Sequence, residues 1–72
     1  VATKKKIQNC VSQYRTQVKV TQETLAEAVG VSRQTIIALE KGNYTPSLLL
    51  ALEIAQFFNK PVEELFTLHY EK

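Results

Sequence analysis

Seventy-two residues make one small domain, near the lower end of what folds without disulfides, metals or oligomerisation. A single cysteine, Cys10, excludes an internal disulfide framework, which suits a reducing compartment, and no apolar run approaches the roughly 18 residues a membrane span needs. Net charge is +2 but uneven: residues 1–45 hold seven bases against three acids, residues 46–72 two against four, a split that suits one face for a polyanion, with a chance imbalance on a solvated surface as the bland reading.

The chain begins at Val1 and contains no methionine, so the expected native start is missing or processed, and nothing resembles a secretory signal. The expectation is a soluble cytoplasmic domain with no membrane partner. Apolar spacing is helical nearly throughout, broken at short intervals. A first helix is predicted over about residues 9–18, with Val11, Tyr14 and Val18 at i, i+3, i+7. Thr21 reads as an N-cap for a short helix through Val29, whose inner face is Leu25, Ala26 and Val29. Gly30 ends that helix by taking a positive φ at little cost.

Ser32 caps the next helix, from Arg33 to about Lys41, with Gly42 as its stop. After the "NYTP" loop, Ser47 caps a fourth helix, Leu48 to about Phe58. It is apolar almost all round and is therefore predicted to be the buried centre. Pro61 suits a first helical position and opens a last short helix, Val62 to Phe66. "FTLHY", residues 66–70, alternates like a half-buried strand, and "KKIQ" near the N-terminus is the other extended candidate.

The Arg33–Lys41 helix has two unlike faces. Ile36, Leu39 and Glu40 form an inward stripe, whereas Arg33, Ile37 and Lys41 step by four along the outer face, flanked by Gln34 and Ala38. Ile37 is thus expected to be exposed in a row of donors and positive charge. Such a face matches base-pair edges in a major groove: Arg binds guanine, Gln binds adenine, and aliphatic groups pack on the thymine methyl. A scattered surface hydrophobe is the competing account of Ile37. The inward stripe buries Glu40, and an unpaired buried carboxylate is costly, so a cation should reach it; Arg15 on the first helix is the best candidate.

"TQETLAEAVGVSRQTIIALEKGNYTPSLLLALEIAQFFNKPVEELF" resembles the helix-turn-helix of Cro/cI-type (Xre) transcriptional regulators, and the likeness extends over about residues 7–66. Gln22 opens a helix, small Ala26 stands at the helix crossing, Gly30 is in the turn, and Ile36 and Leu39 lie behind it. "SRQTI…LEKG" and "YTPSLLLALEIA" follow at the family's spacing. The resemblance implies an all-α, five-helix lambda-repressor-like domain with a small antiparallel β-ribbon from the terminal segments, within or between chains. The helix-turn-helix would span about 22–41 and a dimerisation segment about 57–72. The Arg15–Glu40 pair falls where such proteins carry an interhelical salt bridge.

Carried over, the family's roles make Arg33 and Gln34 base readers, with Ile37 and Ala38 lining the same groove. Many relatives place a polar or charged side chain at one of the latter two, so methyl contacts and shape carry more weight here. Gln22, at the N-terminus of its helix, would hold a phosphate. Ser32, Thr35, Lys41, Asn43 and Tyr44 add backbone contacts. Lys19 stands where many relatives have glycine, so that turn is expected to be strained or differently shaped. The lysines at 4–6 read equally as a phosphate-touching arm or as edge-strand protection.

Double-stranded DNA read by a homodimer is therefore the expected partner, because one recognition helix contacts only a few base pairs. Leu49, Phe57, Val62, Phe66, Leu68 and Tyr70 are candidates for the dimer contact, the competing account being that they close the monomer's own core. The leading function is a sequence-specific repressor on an inverted-repeat operator. A protein-interaction module, such as an antitoxin-like component holding another protein, is the rival. Enzyme activity is not expected: there is one His, one Cys, no Asp and no glycine-rich phosphate loop. No cofactor or metal is expected either, since His69 has no second ligand around it and Cys10 no neighbouring base.

Overall fold

In a computed structural model describing residues 4–71, five helices are closed by a two-stranded ribbon. Strand β1 (Lys4–Asn9) precedes helices α1 (Val11–Gln17), α2 (Gln22–Val29), α3 (Arg33–Glu40), α4 (Leu48–Phe58) and α5 (Val62–Leu65), and strand β2 (Phe66–Glu71) ends the order. The ribbon forms within one chain, antiparallel, with Lys5 opposite Tyr70, Ile7 opposite Leu68 and Asn9 opposite Phe66.

Local chemistry sets most helix starts. Thr21, Ser32 and Ser47 stand in extended conformation before α2, α3 and α4, and each side chain accepts a backbone N–H three residues on. Each bond satisfies one of the orphan donors of a first turn. Pro61 stands one position earlier than expected: it is the residue preceding α5, in extended conformation and with no side-chain cap. Phe66 turns extended instead of closing that helix.

Four helix ends share one solution. Lys19, Gly30, Gly42 and Asn59 all take left-handed backbone conformations, with φ of 60°, 77°, 83° and 56°. The N–H that follows each reaches back to a carbonyl five residues earlier: Val20 to Arg15, Val31 to Ala26, Asn43 to Ala38 and Lys60 to Ala55. This closing pattern satisfies carbonyls of the last turn, and glycine or asparagine suits it best. Lys19 is the exception by residue type, so the expected strain in the α1–α2 turn takes the form of a lysine with positive φ.

Val11, Leu25, Ile36, Leu39, Ile54 and Leu65 form the fully buried centre, one or more from every helix. Two expectations fail here. Val18 is not on the inner face of α1: the helix stops at Gln17, and Val18 is 55% exposed. Helix α4 is not buried all round either. Leu50, Ala51, Ile54 and Ala55 face the core, while Leu48, Leu49 and Leu52 are 73%, 70% and 48% exposed. A helix on the rim of a small domain has only one side against which to pack.

Candidate functional site

Glu40 at the end of α3 ties three helices together. Its Oε2 accepts from Arg15 Nε at 2.7 Å, and its Oε1 accepts from Arg15 Nη2 at 3.2 Å and from Gln22 Nε2 at 3.0 Å. Arg15 also donates from Nη1 to the Val20 carbonyl at 2.9 Å. The pair is largely withdrawn from water, with side chains 17% and 7% exposed. A two-pronged geometry of this kind orients as well as attracts, and stripping one partner from such a buried pair costs roughly 3–5 kcal/mol. The hub therefore fixes the angle of α3 against α1 and α2.

Gln22 has a position that its sequence reading did not contain. One amide hydrogen is committed to Glu40, and an amide nitrogen carries two. The second remains for an outside acceptor at the first turn of α2, where backbone N–H groups and the helix dipole favour an anion. Gln22 and Arg33 line one cleft together with Arg15, Thr21 and Glu23. The openings of α2 and α3 thus share a surface.

On α3 itself, Arg33 and Gln34 are exposed at the first turn, and Lys41 is exposed at the far end. Between them Ile37 is half-buried rather than exposed, as is Ala38. Arg33 and Lys41, four residues to either side of Ile37, carry long aliphatic stems along the same face. The face therefore presents donors at its start, a recessed apolar middle and a cation at its end. Ser32 and Thr35 are linked through their hydroxyls at 3.0 Å, with Thr35 N–H donating to Ser32 Oγ at 3.2 Å. Asn43 and Tyr44 are exposed in the loop after α3.

The candidate dimer residues divide into two sets. Val62 and Phe66 are half-buried and pack against the core of their own chain. Leu49, Leu68 and Tyr70 are 70%, 52% and 55% exposed, and Phe57 is 37% exposed with its ring edge-on to Phe58 at 5.0 Å. Leu48 and Leu52 belong with the exposed set and were missed, because apolar residues on opposite sides of α4 give no polar contrast to read. Asn9 was also missed. Its Nδ2 donates to the Leu39 carbonyl at 2.8 Å and its Oδ1 accepts from Val11 N–H at 3.2 Å. One asparagine thus joins β1, the start of α1 and the end of α3. An asparagine two residues before a helix, able to accept from the N–H two positions on, was the available signal.

Among the described residues no group of three His, Cys, Asp or Glu side chains could hold a metal ion, and no helix is long and apolar enough to cross a membrane.

Comparison with known proteins agrees with this architecture. The family model described as Helix-turn-helix matches residues 11–65. An uncharacterised HTH-type transcriptional regulator of Methanocaldococcus jannaschii is 53% identical over 60 residues, covering 83% of this chain and 91% of that protein. The cryptic phage CTXphi transcriptional repressor RstR of Vibrio cholerae is 35% identical over 51 residues, covering 71% of this chain and 46% of the repressor. Among solved structures, the restriction-modification controller protein C.AhdI of Aeromonas hydrophila superposes with a TM-score of 0.71 at 30% identity, over 75% of this chain and 82% of that one.

Proposed function

Because the chain belongs to the helix-turn-helix family of transcriptional regulators, we propose that it binds double-stranded DNA with α3 in the major groove and regulates transcription as a repressor. The observation that carries this reading is the face of α3. Arg33, Gln34, Ile37, Ala38 and Lys41 form one continuous outer stripe, and the core residues Ile36 and Leu39 lie on the opposite side. Arg33 and Gln34 supply the donors that discriminate guanine and adenine, and Ile37 with Ala38 meets thymine methyl groups. Gln22, Ser32, Thr35, Lys41, Asn43 and Tyr44 hold the phosphates on either side and set the register without reading sequence.

Two copies act together in this proposal. Two recognition helices about 34 Å apart read half-sites one turn of duplex apart, which makes the operator an inverted repeat. Leu49, Leu68 and Tyr70, with Leu48 and Leu52, supply an apolar surface for the two-fold contact. Repression follows from occupancy of promoter DNA, and its support is the likeness to RstR, which is named as a transcriptional repressor. In this proposal the protein works in the cytoplasm, where its DNA target would lie.

Selection from a pool of randomised duplexes tests the reading. An enriched inverted repeat is expected, and Arg33→Ala should relax one position in each half-site at a discrimination loss of about 1–3 kcal/mol. Retention of unrelated sequences, lost at modest salt, would leave only the phosphate term and sink the assignment of a specific operator. The same exposed leucines favour a second reading, a module whose main partner is another protein. In that case Arg33→Ala leaves function nearly intact, while removal of residues 66–72 abolishes it.

A further inference from the structure

Lys5 and Lys6 of β1 lie beside the outer end of α3. Two adjoining grooves run between β1 and the segment that follows α3. Lys5, Lys6, Asn43, Tyr44 and Thr45 line the first, and Lys6, Gln8, Lys41, Gly42 and Asn43 line the second. Among the described residues Glu40 lines the second groove, and both its oxygens are bonded to Arg15 or Gln22. Lys5 reaches across to the partner strand, its Nζ lying over the Tyr70 ring at 5.9 Å from the centroid. That contact leaves the Lys5 side chain exposed at the surface.

We propose that β1 is a second backbone-contacting element: Lys5 and Lys6 hold phosphates that flank the half-site read by α3. The inference rests on the DNA-binding reading above and extends its footprint. A duplex strand leaving the major groove at Lys41, Asn43 and Tyr44 carries its next phosphates past whatever adjoins that loop, and here β1 adjoins it. Three cations, Lys5, Lys6 and Lys41, then follow one strand of regularly spaced negative charge. They also stand where the carbonyl end of α3 would otherwise repel an anion. Edge protection explains lysines on a terminal strand, but it does not explain why the strand flanks the loop after α3.

The test measures affinity of the full chain for its selected duplex across a salt series, beside Lys5→Gln/Lys6→Gln and the charge-keeping Lys5→Arg/Lys6→Arg. Each lost phosphate contact reduces the steepness of log K against log salt by about 0.9, so the glutamine pair should lose roughly 1.8 and the arginine pair nothing. Trimming the duplex just outside the half-sites should weaken the wild type and leave the glutamine variant unmoved. Base preferences from randomised selection should stay the same, and circular dichroism should show both variants folded. An unchanged slope and equal sensitivity to trimming would overturn the proposal and leave the lysines as edge protection. Failure of the wild type to bind any duplex at low salt would overturn the DNA reading itself, and this extension with it.

Discussion

Lys19 carries the backbone conformation of a glycine. A lysine side chain in the left-handed region crowds the following carbonyl at a cost of roughly 1–2 kcal/mol, and the turn keeps it because Val20 N–H must reach the Arg15 carbonyl. Lys19→Gly should therefore stabilise the fold by up to about 1 kcal/mol, the relief being partly offset by the greater freedom of glycine in the unfolded chain. Chemical denaturation measures this directly, and a lower midpoint would contradict it. Asn59 meets the same demand at the end of α4 with a residue that tolerates it well. Glu40 shows the opposite economy: one carboxylate receives three hydrogen bonds from two helices.

At the level of elements, α4 shows what a sequence can and cannot convey. Its ends were legible, because Ser47 capping and the last apolar residue are local signals. Its orientation was not, since Leu48, Leu49 and Leu52 are of the same chemical type as the residues it buries. The two faces of α3 were legible for the reverse reason: charge and amide groups alternate there with aliphatic ones at helical spacing. The half-burial of Ile37 escaped, because it depends on long neighbours and not on its own type. Leu49→Glu or Leu52→Glu should leave the helices intact by circular dichroism while abolishing concentration-dependent self-association in sedimentation experiments. A wild type that stays monomeric at all concentrations would remove the two-fold operator from the proposal. Asn9 shows another limit, since its partner carbonyl lies 30 residues away.

Across the whole molecule, the helices meet mostly near neighbours in sequence, whereas β1 and β2 join the two ends of the chain, Lys4 standing opposite Glu71. Exposure rises along the ribbon away from the helices: Phe66 and Asn9 are half-buried, while Ile7, Leu68 and Tyr70 are 40%, 52% and 55% exposed. That gradient has a temporal counterpart. Closing a loop of nearly the full chain length is the largest entropic cost among the contacts, and it comes due before the pairing returns anything. The ribbon should thus be the last part to form and the first to open, at a free energy below that of global unfolding. Native-state hydrogen exchange is expected to show Ile7 and Leu68 amides exchanging well before those of Leu25, Ile36 and Ile54, and uniform protection would refute the ordering. A hinge of this sort, fastened at Asn9 and looser toward Lys5, lets Lys5 and Lys6 come and go on a different clock from α3, the helix proposed to read the bases.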